Sequence, residues 1–188
     1  MIVLQPSDAY YSGHTQPVGR PANIGYGREK VHFAVVIGAR GQLVAVENLQ
    51  TSFTRRSERL MTVPQIERPG DSPPMNFLWG RTGAVLGIRR RKRSPGAFRI
   101  DELAFERFKA FHRTALTDVA DIGLEGFLRF LEHWSPEQFQ DVSDFLSKLD
   151  ATLAFRFQYD DGFLHDRHAA RLAWRRVLER EMPMGLSA

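Results

Sequence analysis

The chain has 188 residues, 43% of them hydrophobic and 26% charged, with a net charge of +4 and no cysteine. That is enough apolar material for one core and excludes wholesale disorder, while the missing thiols exclude disulfides, thiolate zinc sites and a cysteine nucleophile. Charge is unevenly placed: residues 1–100 carry 15 Lys and Arg against 6 Asp and Glu, and residues 101–188 carry 11 against 16, so the early half is expected to meet an anion and the later half to support it or meet another partner.

The opening "MIVLQPSDAYYSG" offers three apolar residues after Met1 before polar and turn residues intervene. This is too short for a signal peptide, and nowhere do 18 apolar residues run together, so a cytoplasmic location is expected. Residues 5–28 are rich in Gly, Pro, Ser and Asn and read as loop, with one helical turn around Tyr10 and Tyr11. "VHFAVVI" (31–37) and "QLVAVENL" (42–49) are β-branched and alternating, and the intervening "GARG" can supply positive φ, which predicts a β-hairpin. A third strand is expected over 59–64 ("RLMTVP") and a fourth over 83–88 ("GAVLGI"), with the Pro/Gly-rich connector 67–76 between them.

After Pro95 the period changes. Ala104, Phe105, Phe108, Phe111 and Ala115 fall at helical spacing behind Asp101 as N-cap, and Leu124, Phe127, Leu128, Leu131 and Trp134 repeat the pattern. A third helix is expected from "SPEQ", with Ser135 as cap, Pro136 at the first helical position and Gln138 closing a capping box, continuing through Phe139, Val142, Phe145, Leu146 and Leu149. "TLAFRF" (152–157) alternates, "YDDG" supplies a turn and "FLHD" (163–166) reads as the returning strand of a small second hairpin. A final helix from Arg167 places Ala170, Ala173, Trp174 and Val177 on one face. The expected fold is α+β: an antiparallel sheet region in the N-terminal half, with residues 1–100 a basic β-rich DNA-binding region, and residues 101–188 helical with the small hairpin, together one compact domain.

Five consecutive cations, Arg89, Arg90, Arg91, Lys92 and Arg93, follow an apolar run. Arginine forks suit phosphate, and a solvated tip between strand and helix is the plain alternative. The charge imbalance favours nucleic acid. Arg55, Arg56 and Arg59 form a second basic cluster, partly offset by Glu58. "PGDSPPMNFLWGRTG" sets Asn76, Gly80, Arg81 and Thr82 among glycines and prolines, as minor-groove reading of base identity would need, with Phe77, Leu78 and Trp79 as core anchors. "GYGREK" (25–30) places two glycines beside Arg28 and Lys30, a weaker phosphate-binding candidate.

A competing reading is a metal-dependent nuclease at Asp160, Asp161, His165 and Asp166, with His168 nearby. Against it, "DDG" is ordinary turn chemistry and Asp166 an ordinary N-cap. There is no "GxxxxGKS" phosphate cradle and no "GxSxG" elbow.

The blocks "GYGREKVHFAVVIGARGQLVAVENL", "MTVPQIERPGDSPPMNFLWGRTGAVLG", "FERFKAFH", "LEGFLRFLEHWSPEQF" and "TLAFRFQYDDGFLHDRHAARLAW" resemble, in that order, the large subunit of type I-C CRISPR Cascade complexes over roughly residues 25–178. His168 departs from the proline often found at its position. The resemblance implies the N-terminal part of a longer, non-catalytic subunit without a cofactor. It implies a role in an RNA-guided surveillance complex: recognising the protospacer-adjacent motif on double-stranded DNA, helping to open the duplex and assisting recruitment of the helicase-nuclease, while the guide RNA reads the remaining sequence. Expected partners are therefore double-stranded DNA, guide RNA, other Cascade subunits, the helicase-nuclease and a DNA-mimicking phage anti-CRISPR protein. The acidic helices after Asp101 offer a separate interaction platform.

Overall fold

The computed structural model describes residues 24–49, 59–66, 75–91, 97–141 and 149–181. Its strands are β1 (Tyr26–Val31), β2 (Phe33–Ile37), β3 (Leu43–Asn48), β4 (Arg59–Ile66), β5 (Met75–Asn76), β6 (Trp79–Arg81), β7 (Ile88–Arg90), β8 (Phe98–Ile100) and β9 (Thr152–Phe157). The helices are the single turn α1 (Thr82–Val85), then α2 (Glu102–Ala115), α3 (Ile122–His133) and α4 (His168–Glu181), with 3₁₀ turns at Pro136–Asp141 and Leu164–Asp166. The α+β class expected from the sequence is the class observed.

A four-stranded sheet in the order β3-β2-β9-β6 organises the molecule. β9 runs parallel to β2 and antiparallel to β6. Both central strands are almost wholly buried, because each must be apolar on two faces. Phe33, Val35, Ile37, Leu153, Phe155 and Phe157 join the large core with Phe105 and Phe108 of α2, Phe127 and Phe130 of α3 and Trp174 of α4. On the opposite face Ala34, Trp79 and Ala154 meet Val31, Met61 and Val63, which come from the second sheet, β1-β4-β5. Phe77, Leu78 and Trp79 are buried core anchors, as expected.

Several local expectations change. The loop assigned through residue 28 ends earlier, since β1 pairs with β4 from Tyr26 opposite Pro64 onward. The run 31–37 is two strands in two sheets. His32 is the crossing point: its N–H donates to Thr152 O at 2.9 Å and its Nδ1 accepts from Thr152 N at 3.1 Å. The strand expected over 83–88 is instead α1 followed by β7, because Leu86 N donates to Thr82 O and Gly87, at φ +72°, redirects the chain. The returning strand 163–166 is a 3₁₀ turn. Phe163, Leu164 and His165 are all buried and cannot alternate, so a single bridge, Arg156 to Phe163, is what remains of the small hairpin.

The expected cap forms at Asp101 and in part at Ser135, whose hydroxyl donates to the Glu137 carboxylate and caps no backbone N–H among the described residues. Asp101 accepts from Ala104 N at 3.2 Å, and Gln138 accepts from Ser135 N at 3.3 Å. The latter opens a 3₁₀ turn, and the expected continuation over 142–148 lies outside the described residues, as does the turn around Tyr10 and Tyr11. Asp121, not singled out from the sequence, caps α3 through Gly123 N and Leu124 N, both at 3.0 Å.

The β2–β3 turn yields a direct stability prediction. Gly41 has φ +80°, and a Cβ there would lie 2.5 Å from the Arg129 carbonyl carbon and from Phe130 N. Gly41→Ala is expected to cost more than about 1 kcal/mol, measured as a lowered urea midpoint with an unchanged slope.

Candidate nucleic-acid interface

β7 and β8 form an antiparallel ribbon in which Ile88 faces Ile100, Arg89 faces Arg99 and Arg90 faces Phe98. Arg91 N extends it by donating to Ala97 O at 2.9 Å. Directly opposed residues share a face, so Arg89, Arg91 and Arg99 form one cationic surface. The other face holds buried Ile88 and Phe98, whose ring meets Phe139 edge-on at 5.4 Å. Opposing like charges across a ladder are unfavourable. Asp101 relieves part of that repulsion by ion-pairing with Arg89.

Arg89 and Arg90 are half-exposed, at 49% and 51% of their side chains. Arg90 is tethered to Leu149 O at 3.4 Å and to Asp150 at 3.7 Å. Arg91 and Arg99 are exposed and face no carboxylate within ion-pair distance among the described residues. The sequence reading missed Arg99, which only the strand register brings opposite Arg89. Lys92 and Arg93 lie outside the described residues.

The ribbon is rigidly seated. Gly87 O accepts from Asp101 N at 2.7 Å, and Leu86 O accepts from Trp134 Nε1 at 3.0 Å. Arg89 lies across Gly83, where an added Cβ would come within 2.9 Å of its Cγ and Nε. A side chain at position 83 would displace it.

Of the residues expected to read bases, Arg81 is exposed at the end of β6, opposite Thr152. Thr82 is fully buried; its Oγ1 accepts from Asp150 N at 3.1 Å and its N–H donates to Ala151 O at 3.1 Å. It holds the base of α1 and is removed from the candidate interface. Gly80 is also buried, with an added Cβ falling 3.1 Å from Val85 and 3.9 Å from Asn76 Nδ2, so it serves packing. Asn76 is partly buried beside it, and its Oδ1 is buried without a hydrogen-bond partner. The amide nitrogen is the end of that side chain left to donate.

Arg28 and Lys30 are exposed on β1, opposite Thr62 and Leu60, and belong to a different sheet from the ribbon. Arg59 begins β4, but its side chain, like Arg55 and Arg56 entirely, lies outside the described residues.

The metal-site alternative is not assembled. Asp160 ion-pairs with Arg167, which also donates to Asp121 at 2.9 and 3.0 Å. His165 is buried, stacks on Phe163 at 5.6 Å and 19°, and has neither ring nitrogen hydrogen-bonded. Burial holds its pKa below the usual histidine value. Among the described residues no three His, Asp or Glu side chains could hold one ion.

Among the described residues no helix is long and apolar enough to cross a membrane. No curated protein matches the chain. A family model described as CRISPR-associated protein (Cas_Csd1) matches residues 8–185, which takes in both sheets, the arginine ribbon and all four helices. The chain belongs to the Csd1 family of CRISPR-associated proteins.

Proposed function

We propose that this chain is a non-catalytic, duplex-DNA-binding part of the large subunit of a type I-C Cascade complex, reading the protospacer-adjacent motif while the guide RNA reads the remaining target. The observation that carries this reading is the shared face of Arg89, Arg91 and Arg99 on a two-stranded ribbon. Such a ribbon is narrow enough to enter a major groove or track its rim, and its arginines suit the phosphates alongside. Arg81, and Asn76 through its amide nitrogen, are assigned to base edges. In the assembled complex the partners are guide RNA, the other Cascade subunits and the helicase-nuclease, and a carboxylate-presenting phage inhibitor would compete for the same arginines.

The test is a mobility-shift comparison of motif-bearing and motif-less duplexes at two salt concentrations. The wild-type chain is expected to prefer the motif. Asn76→Ala is expected to reduce that preference by about 1–3 kcal/mol with little change on motif-less DNA. Equal weakening on both duplexes would remove Asn76 as a reader and leave phosphate binding to the ribbon.

A further inference from the structure

The "YDDG" turn, which assembles no metal site, holds the single Asp-Gly step of the chain, Asp161–Gly162, and the chain has no Asn-Gly step. Both ends of this turn are fixed. On the β9 side Gln158 N donates to Ile37 O and Asp160 N donates to Phe157 O, both at 3.0 Å. The Asp160 carboxylate is ion-paired with Arg167, whose Nε donates to both oxygens of Asp121, the cap of α3. Arg167 N donates in turn to Leu164 O at 3.2 Å. On the other side Phe163 is buried, bridges to Arg156 and carries the Arg156 guanidinium over its ring at 5.0 Å.

Between these anchors the chain is bare. Asp161 and Gly162 are exposed, and neither the Asp161 carboxylate nor the Gly162 N–H has a partner among the described residues. Apart from its chain neighbours, no heavy atom lies within 4 Å of the place a Cβ on Gly162 would take. The Gly162 nitrogen is therefore unshielded, and glycine is free to adopt the dihedrals that bring this nitrogen onto Asp161 Cγ. Asp118 is also exposed, at φ 60°. There the next residue is the β-branched Val119, which crowds the same approach.

We propose that Asp161–Gly162 is a self-modification site at which the folded chain converts aspartate to isoaspartate, and that the conversion unseats the Arg167 clamp. The Gly162 nitrogen bonds to Asp161 Cγ, and the Cγ hydroxyl leaves with the amide proton as water, closing a five-membered succinimide. Water then opens the ring. Cleavage between the nitrogen and Cγ restores aspartate. Cleavage between the nitrogen and the Asp161 main-chain carbonyl carbon gives isoaspartate, in which the main chain runs through Cγ and Cα bears a free carboxylate. No oxidant, metal or other reactant is consumed. The product lengthens the main chain between Asp160 and Phe163 by one C–C bond of about 1.5 Å. Phe163 is held in the core, so the displacement falls on Asp160 and, through Arg167, on the cap of α3. The site uses no residue of the ribbon and stands independently of the nucleic-acid reading.

The experiment ages the whole 188-residue chain at neutral pH and maps its tryptic peptides. Cleavage after Arg156 and Arg167 releases residues 157–167. The aged sample should show this peptide as two chromatographic peaks of equal mass, with electron-transfer fragmentation placing isoaspartate at position 161. Protein isoaspartate methyltransferase with S-adenosylmethionine should label one of the two. Asp161→Glu cannot close a five-membered ring and should lose that peak. Gly162→Ala, which fits because Gly162 does not have a positive φ, should slow its appearance. The aged wild-type chain is expected to unfold at a lower urea midpoint than the fresh chain, with the same slope, whereas aged Asp161→Glu should match its fresh form. Arg167→Gln should begin less stable and lose less on ageing, the non-additivity of two changes in one network. Isoaspartate absent from position 161, or equally abundant at position 118, overturns the site. An unchanged midpoint in aged wild type, or an equal loss on ageing in wild type and Asp161→Glu or in wild type and Arg167→Gln, overturns the link to the clamp.

Discussion

Removing the cationic face of the β7–β8 ribbon is expected to abolish tight duplex binding. The variant combines Arg91→Glu and Arg99→Glu with Arg89→Gln, because a glutamate at position 89 would stand against Asp101, which both pairs with Arg89 and caps α2. With three phosphates no longer neutralised, the slope of log K against log salt should fall by about 2.7, at about 0.9 each. Affinity should fall at least tenfold, or about 1.4 kcal/mol, for motif-bearing and motif-less duplexes alike. Arg40→Glu, on the β2–β3 turn, is the matched control and should leave both quantities near their wild-type values. An unchanged salt slope in the triple variant would mean that these arginines merely solvate the ribbon tip.

Acid is expected to destabilise the fold through His112. This side chain is fully buried among Phe77, Phe108, Phe111 and Phe127. Its Nε2 accepts from Leu78 N at 2.9 Å, and its Nδ1 lies 2.8 Å from Phe108 O. Both hydrogen bonds together require the neutral ring with the proton on Nδ1. Leu78 itself sits at φ 62°, so the imidazole satisfies a buried amide in a sharp bend where no strand partner can reach. Burial lowers the pKa of His112 from 6.5 to about 3.

The unfolded chain binds a proton on this residue below about pH 6.5, whereas the folded chain resists it down to about pH 3, so the stabilisation is complete above the upper value and disappears as pH falls toward the lower one. At about 1.4 kcal/mol per pH unit across that interval, several kcal/mol are at stake. His165, shifted the same way by burial, adds to the trend. Urea melts at pH 7 and pH 4.5 should show a marked loss for the wild-type chain. His112→Gln should be less stable at pH 7, since its amide cannot reproduce both hydrogen bonds in the aromatic nest, yet lose less on acidification. Equal acid sensitivity in both proteins would exclude His112 as the origin.

Much of the fold was legible because it rests on local chemistry. The helical spacing of Phe105 and Phe108, the cap at Asp101, the glycines of the β2–β3 turn and the apolar character of Phe77, Leu78 and Trp79 all act within a few residues of where they are read. The candidate interface was legible only in part. Its composition stood out in the sequence, but Thr82 and Gly80 resembled groove-reading residues until burial gave them packing roles. Arg99, isolated in the sequence, joined the site through strand register. α4 is legible from its apolar stripe of Ala170, Ala173, Trp174 and Val177.

By itself, then, the sequence determined α2, α3 and α4, the turn glycines, the core anchors and the concentration of positive charge before residue 100, since periodicity, capping and charge are properties of neighbours along the chain. The tertiary structure alone decided that β9 enters the central sheet between β2 and β6, that the chain changes sheets at His32, and which arginines share a face. Those outcomes depend on hydrogen bonds between segments far apart in sequence, such as His32 with Thr152 and Thr82 with Asp150, and a pairing across that distance is selected by how the whole core closes rather than by the residues on either side of it.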